Sequence, residues 1–170
     1  MKKIIKRAVV LTLLVALLVP ATVFAAEDTV AVSGDVEAIL TLTVPGPIAL
    51  GNLPVGATTG SDDQSITVGT NNPGGFTLTV RDSNQVGANI GRMVSGANVL
   101  FNPLEVKGGD TTTYTPLTVV ETTTVLVKAT TTAAEDVTIN DFSVQQQVLW
   151  DDPVAIGYSI TLYFIAMDNA

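Results

Sequence analysis

The sequence predicts an all-β protein: a single antiparallel β-sandwich, immunoglobulin-like or jelly-roll-like, preceded by a signal peptide. Three observations carry that expectation. Apolar and polar residues alternate with period two, turn chemistry interrupts the alternation about every 8–12 residues, and no useful amphipathic helix follows residue 26.

The first 25 residues stand apart. Residues 1–7 carry the cations Lys2, Lys3, Lys6 and Arg7, and residues 8–19 are apolar except for Thr12. Pro20 ends that run, and Val23-Phe24-Ala25 presents the compact residues that a signal peptidase reads, so cleavage is expected after Ala25. The apolar core, about a dozen residues, is short of the roughly 20 that span a bilayer. No cysteine follows it to take a lipid, and polar residues alternate with apolar ones in the C-terminal segment. A secreted or cell-surface product is therefore expected, with no membrane span after cleavage. Its single domain covers residues 26–170 and starts with a short arm, residues 26–35.

Strands follow in order. Residues 36, 38, 40, 42 and 44 are apolar against Glu37, Thr41 and Thr43. Ser65-Ile66-Thr67-Val68 and Phe76-Thr77-Leu78-Thr79-Val80-Arg81 repeat the pattern. Phe142, Val144, Val148 and Trp150 share a parity with Gln146, and Tyr158, Ile160, Leu162, Phe164 and Ala166 form one face of the last strand. Because successive side chains of a strand point to opposite faces, each segment can bury one side and hydrate the other. Twenty-two threonines after residue 25 suit a half-exposed pleated surface. Pro45-Gly46-Pro47, Asn71-Asn72-Pro73-Gly74-Gly75, Gly108-Gly109-Asp110 and Asp151-Asp152-Pro153 mark turns. At most one helical turn is expected, within residues 129–135, where Thr130-Thr131-Thr132 opposes more.

Composition narrows the chemistry. Beyond residue 25 the chain has 145 residues with four basic and sixteen acidic groups, a net charge of −12, and it contains no cysteine or histidine. So acidic a chain cannot neutralise a phosphate backbone, which argues against nucleic acid as a partner. Disulfides, thiol nucleophiles, histidine triads and ordinary zinc sites are excluded outright. Stability must come from a packed apolar core, which a domain of this size can build.

The segment order resembles the Trp-x-Leu (WxL) surface-protein domain, and more broadly the exported pilin- or coat-like sandwiches. The resemblance runs through the strand and Pro-Gly break before Pro47-Ile48-Ala49-Leu50-Gly51, the turn at residues 71–75 leading into Phe76-Thr77-Leu78, and Gly157-Tyr158 before the final strand. Phe76-Thr77-Leu78 and Tyr163-Phe164-Ile165 occupy the places of the two Trp-x-Leu motifs, and both lack the tryptophan. The resemblance implies a β-sandwich at a cell wall, with a wall glycan as ligand. With the signature residues missing, no glycan-binding residue carries over.

No catalytic residue or cofactor is assigned. The acid pairs Asp62-Asp63, Glu135-Asp136 and Asp151-Asp152 sit in turn-like contexts that read as hydrated surface. Calcium is the one metal whose oxygen ligands the composition can supply, with Asp62, Asp63, Asp82, Asp151 and Asp152 as candidates. Phe76, Phe142, Trp150, Tyr158 and Phe164 are expected in the core, leaving Tyr114 and Tyr163 outside. The threonine clusters are read as solvent-facing surface or O-glycosylation acceptors. A second apolar row, Tyr163, Ile165 and Met167, makes the last strand apolar on both faces, and Val30 and Val32 of the arm can add to a neighbouring sheet. The sequence thus points to a non-enzymatic structural or adhesion domain working through protein–protein contacts in a surface layer, fibre or matrix. A wall-glycan-binding module is the alternative.

Overall fold

The computed structural model describes residues 31–84, 87–117 and 124–170. The expected export signal and Val30 lie outside them. The chain divides into Met1–Val36 and Glu37–Ala170. Of the first unit, residues 31–36 are exposed and in no strand.

The second unit is an all-β antiparallel sandwich. Its strands are β1 (Leu40–Thr43), β2 (Thr58–Gly60), β3 (Gln64–Thr70), β4 (Phe76–Asp82), β5 (Val94–Ser95), β6 (Asn98–Val99), β7 (Glu105–Gly108), β8 (Thr111–Pro116), β9 (Val125–Ala129), β10 (Ala134–Gln147) and β11 (Leu162–Asp168). The larger sheet runs β1-β3-β10-β7-β8, with β2 also paired to β10. The smaller runs β11-β4-β9, and β5 and β6 form a separate ribbon. The fourteen-residue β10 is interrupted by register shifts between Ala134 and Val137 and between Ile139 and Phe142. Such bulges bend a strand, which lets one long strand serve β3, β2 and β7.

Alternation locates the core. Ile66 and Val68 of β3, Ile139, Phe142 and Val144 of β10 and Val106 of β7 meet Phe76, Leu78 and Val80 of β4 and Val125 and Val127 of β9. Phe142 packs edge-on against Phe164 of β11, with ring centroids 5.2 Å apart, and so joins the two sheets. Glycine is required where backbones approach closely. At Gly75, in the left-handed region with φ 75°, an added Cβ would run into the Thr130 carbonyl, and at Gly69 into that of Glu135.

Three expectations need correction. Only Leu40–Thr43 of the first predicted strand is paired, and Val36, expected on its apolar face, stands in solvent. The segment around residues 129–135 holds no helical turn; it passes through a bend into β10. Trp150 is exposed, not core. β10 ends at Gln147, so the parity that buries Val148 is lost in the following turn.

Asp110 ties the sheets together at the β7–β8 turn. Lys128 of β9 donates to it at 2.7 Å and the Ala129 N–H at 2.9 Å, and these two bonds hold its carboxyl below the usual value of 3.8. A depressed folded value stabilises the fold above the unfolded value, and the contribution is lost as pH falls through the folded one. The pair is partly exposed, so Asp110→Asn should lower Tm at neutral pH by only about 1–2 °C. That gap should close below pH 3.8, which a series of melts against pH would show.

Candidate functional site: an unclosed sheet edge

The core is sealed on one side and open on the other. The inward residues of β4 are fully buried, whereas Leu162, Phe164 and Ala166, the inward row of the adjacent β11, are only half-buried. β11 pairs with β4 along one edge, and among the described residues no strand occupies its other edge.

Facing this edge is the segment of residues 44–53, which leaves the larger sheet after β1. Ile48, Leu50 and Leu53 turn toward the core while Pro47, Ala49 and Gly51 are exposed, an extended alternation without a partner. Among the described residues, none hydrogen-bonds to the backbone of residues 44–53. Between the two lies a cavity of about 710 Å³ walled by Ile48, Leu50, Leu104, Ile160, Leu162 and Phe164. Pro45 and Pro47 lack donors, and the Pro-Gly-Pro break keeps this stretch from continuing the β1 ladder.

The C-terminal end of β11 is closed by polar contacts. Thr70 donates to Asp168 at 2.6 Å and Thr77 to Asn169 at 2.7 Å. The Asn169 side chain in turn donates to the Thr130 and Gly74 carbonyls. The groove therefore lies along the N-terminal half of β11 and the residues before it.

Of the interaction residues expected from sequence, Tyr163, Ile165 and Met167 lie on the opposite face of β11 and do not line this groove. Tyr163, Ile165 and Met167 form the outer face of the smaller sheet, opposite Arg81, Thr79 and Thr77, with Tyr163 and Met167 about half exposed. Val32 is exposed. Arg81 sits over the Tyr163 ring, and Lys107 over that of Tyr114, each at 5.2 Å. Tyr114 is half-buried and bonded to Ser143, so it is not the outward ring expected. The two tyrosines stand on different sheets and share no platform.

The calcium candidates do not assemble. Among the described residues there is no group of three or more acids that would hold a metal. Asp82 accepts from the N–H groups of Asn84 and Gly91, and Asp152 from those of Phe101 and Leu149. These two carboxylates organise loops. Asp62, Asp63 and Asp151 are exposed.

Sequence reasoning missed the groove itself. Its signal was available in residues 44–53, whose strand-like alternation is framed by prolines that prevent regular pairing.

Comparison with known proteins yields little. No family model and no curated protein matches the chain. Among solved structures, a chain of a chaperone-usher pilus, from a structure that describes the molecular basis of rod uncoiling, is 14% identical. The match covers 87% of this chain and 99% of that one, with a TM-score of 0.47. The two-sheet antiparallel architecture stands on the strand registers alone. No helix among the described residues is long and apolar enough to cross a membrane.

Proposed function

We propose that this is an exported, non-enzymatic structural or adhesion subunit of the cell surface, and that it associates with other copies by strand addition. The observation that carries this is the groove. An apolar trough flanked by two backbone edges that, among the described residues, no strand pairs with is the acceptor that an extended segment needs: the ladder gives affinity and alternate pockets give register.

The chain supplies a matching segment. In its arm Val30, Val32 and Val36 share one parity, against Thr29, Ser33 and Asp35 on the other. The arm, residues 26–35, has ten residues, enough to run the length of the groove flank at residues 158–165. At about 3.3 Å per residue the two extend to roughly 33 and 26 Å.

Sedimentation across concentration tests the reading, comparing the chain that begins at Ala26 with one that begins at Asp35. The longer chain should associate and the shorter remain monomeric. Monomers at all concentrations for both would overturn it.

A further inference from the structure

We infer that the apolar tip formed by Trp150, Val154 and Ile156 seats the body of an incoming copy, against that copy's Val36 and Ile39. This rests on the strand-addition reading and goes on to state where the donor's folded domain must sit.

The tip is unusual in both exposure and rigidity. Trp150 is 86% exposed, Val154 96% and Ile156 94%. Loops that show this much apolar surface usually do so because something covers it. The tip is also held in place. Asp152 accepts from Phe101 at 2.7 Å and Leu149 at 2.6 Å, Tyr158 donates to the Pro153 carbonyl at 2.6 Å, and Ser95 to that of Ile156 at 2.6 Å. Trp150 lies over Gly56, where an added Cβ would stand 3.0 Å from its Nε1. A pre-formed surface loses little entropy on docking.

Continuity identifies the occupant. A second cavity of about 410 Å³, walled by Val55, Val148, Val154 and Ile156, shares Gly51, Leu53 and Tyr158 with the groove. The groove thus runs out onto the tip at one end, while at the other its lining stops at Phe164 and Thr70 of β3 bonds to Asp168 of β11 across the two sheets. With the export signal cleaved after Ala25, as the proposed function implies, a donor arm begins at Ala26 and joins its own domain at Glu37. Only the free end fits the closed side, so the donor's domain stands at the tip and its arm runs antiparallel to β11. The root of that arm carries the apolar residues Val36, 89% exposed, and Ile39, 53% exposed. Tip and root are different surfaces of one molecule, so the contact is head-to-tail and propagates. Asp151 at the tip and Asp35 and Glu37 at the root carry the same sign, so the contact is apolar and salt should strengthen it.

The test separates arm from body. A synthetic peptide of residues 26–35 is titrated into the chain that begins at Asp35. Assembly of the chain that begins at Ala26 is followed by sedimentation and by emission of Trp150, its only tryptophan. Val154→Ser with Ile156→Ser should bind the peptide as the parent does and melt at the same temperature, yet assemble about tenfold or more weakly. Ile39→Ser should weaken assembly similarly, and combining the two sites should cost less than their sum. Trp150 emission should shift to the blue on assembly and not with the peptide.

Assembly unchanged in the tip variant, with the peptide still bound, would overturn the seat and leave strand addition standing. A peptide that does not bind would overturn both. A blue shift with phosphatidylcholine vesicles, with no shift on assembly, would assign the tip to a bilayer and overturn the seat.

Discussion

Phe142→Ala is expected to lower the free energy of unfolding by about 3–5 kcal/mol. Folded domains of ordinary stability hold only about 5–15 kcal/mol, so the variant should be close to unfolding at ambient temperature. The side chain is fully buried at the bulged centre of β10, where it is the larger sheet's contact with Phe164. Its removal leaves a void that the surrounding strands cannot close. Gly108 already lies against it, since a Cβ there would stand 2.8 Å from the Phe142 Cα. Urea titration should show a lower midpoint with an unchanged slope. Phe164→Ala should cost less, because that ring borders the groove and is half-buried. In the double variant the aromatic pair should appear as a coupling of about 0.5–1.5 kcal/mol. A loss under about 1 kcal/mol for Phe142→Ala would mean that the two layers do not meet at this residue.

That expectation concerns the part of the fold that alternation predicts well. In β3, β4 and β10 one face is sealed against the other sheet, so a period of two in the sequence becomes a period of two in burial. Even Gln146 follows it, fully buried with its amide donating to the Asn102 and Gln147 carbonyls. The pattern misleads where a strand ends. Trp150 continues the parity of Val148 on paper, but the turn that follows β10, organised by the Asp152 carboxylate, turns it outward.

Turn chemistry explains the other misreading. Asp82 is one of the expected calcium ligands, yet it binds the N–H two residues on, the ordinary habit of an aspartate in a turn. The groove was least legible of all. Periodicity records which face of a strand is apolar, but not whether its backbone edge finds a neighbour. Residues 44–53 alternate much as a paired strand does, and only the topology shows that their ladder is missing.

A missing ladder predicts a stabilising ligand. Adding the peptide of residues 26–35 to the chain that begins at Asp35 should raise its stability by about 2.7 kcal/mol when the peptide is a hundredfold above Kd. For a domain of this size that is a rise in Tm of roughly 5–10 °C. Two changes produce it. Leu162, Phe164, Ile48 and Leu50, now half-buried, would be covered, and the free edge of β11 would gain a partner. The rise should depend on parity. Val30→Asp with Val32→Asp places two carboxylates in apolar pockets, where their burial without partners is costly, so this peptide should leave Tm unchanged. Thr29→Asp with Ser33→Asp alters the outward face only and should retain most of the rise. An equal rise for all three peptides would show that they act by a route other than strand pairing, and no rise for any would leave the groove without a strand to fill it.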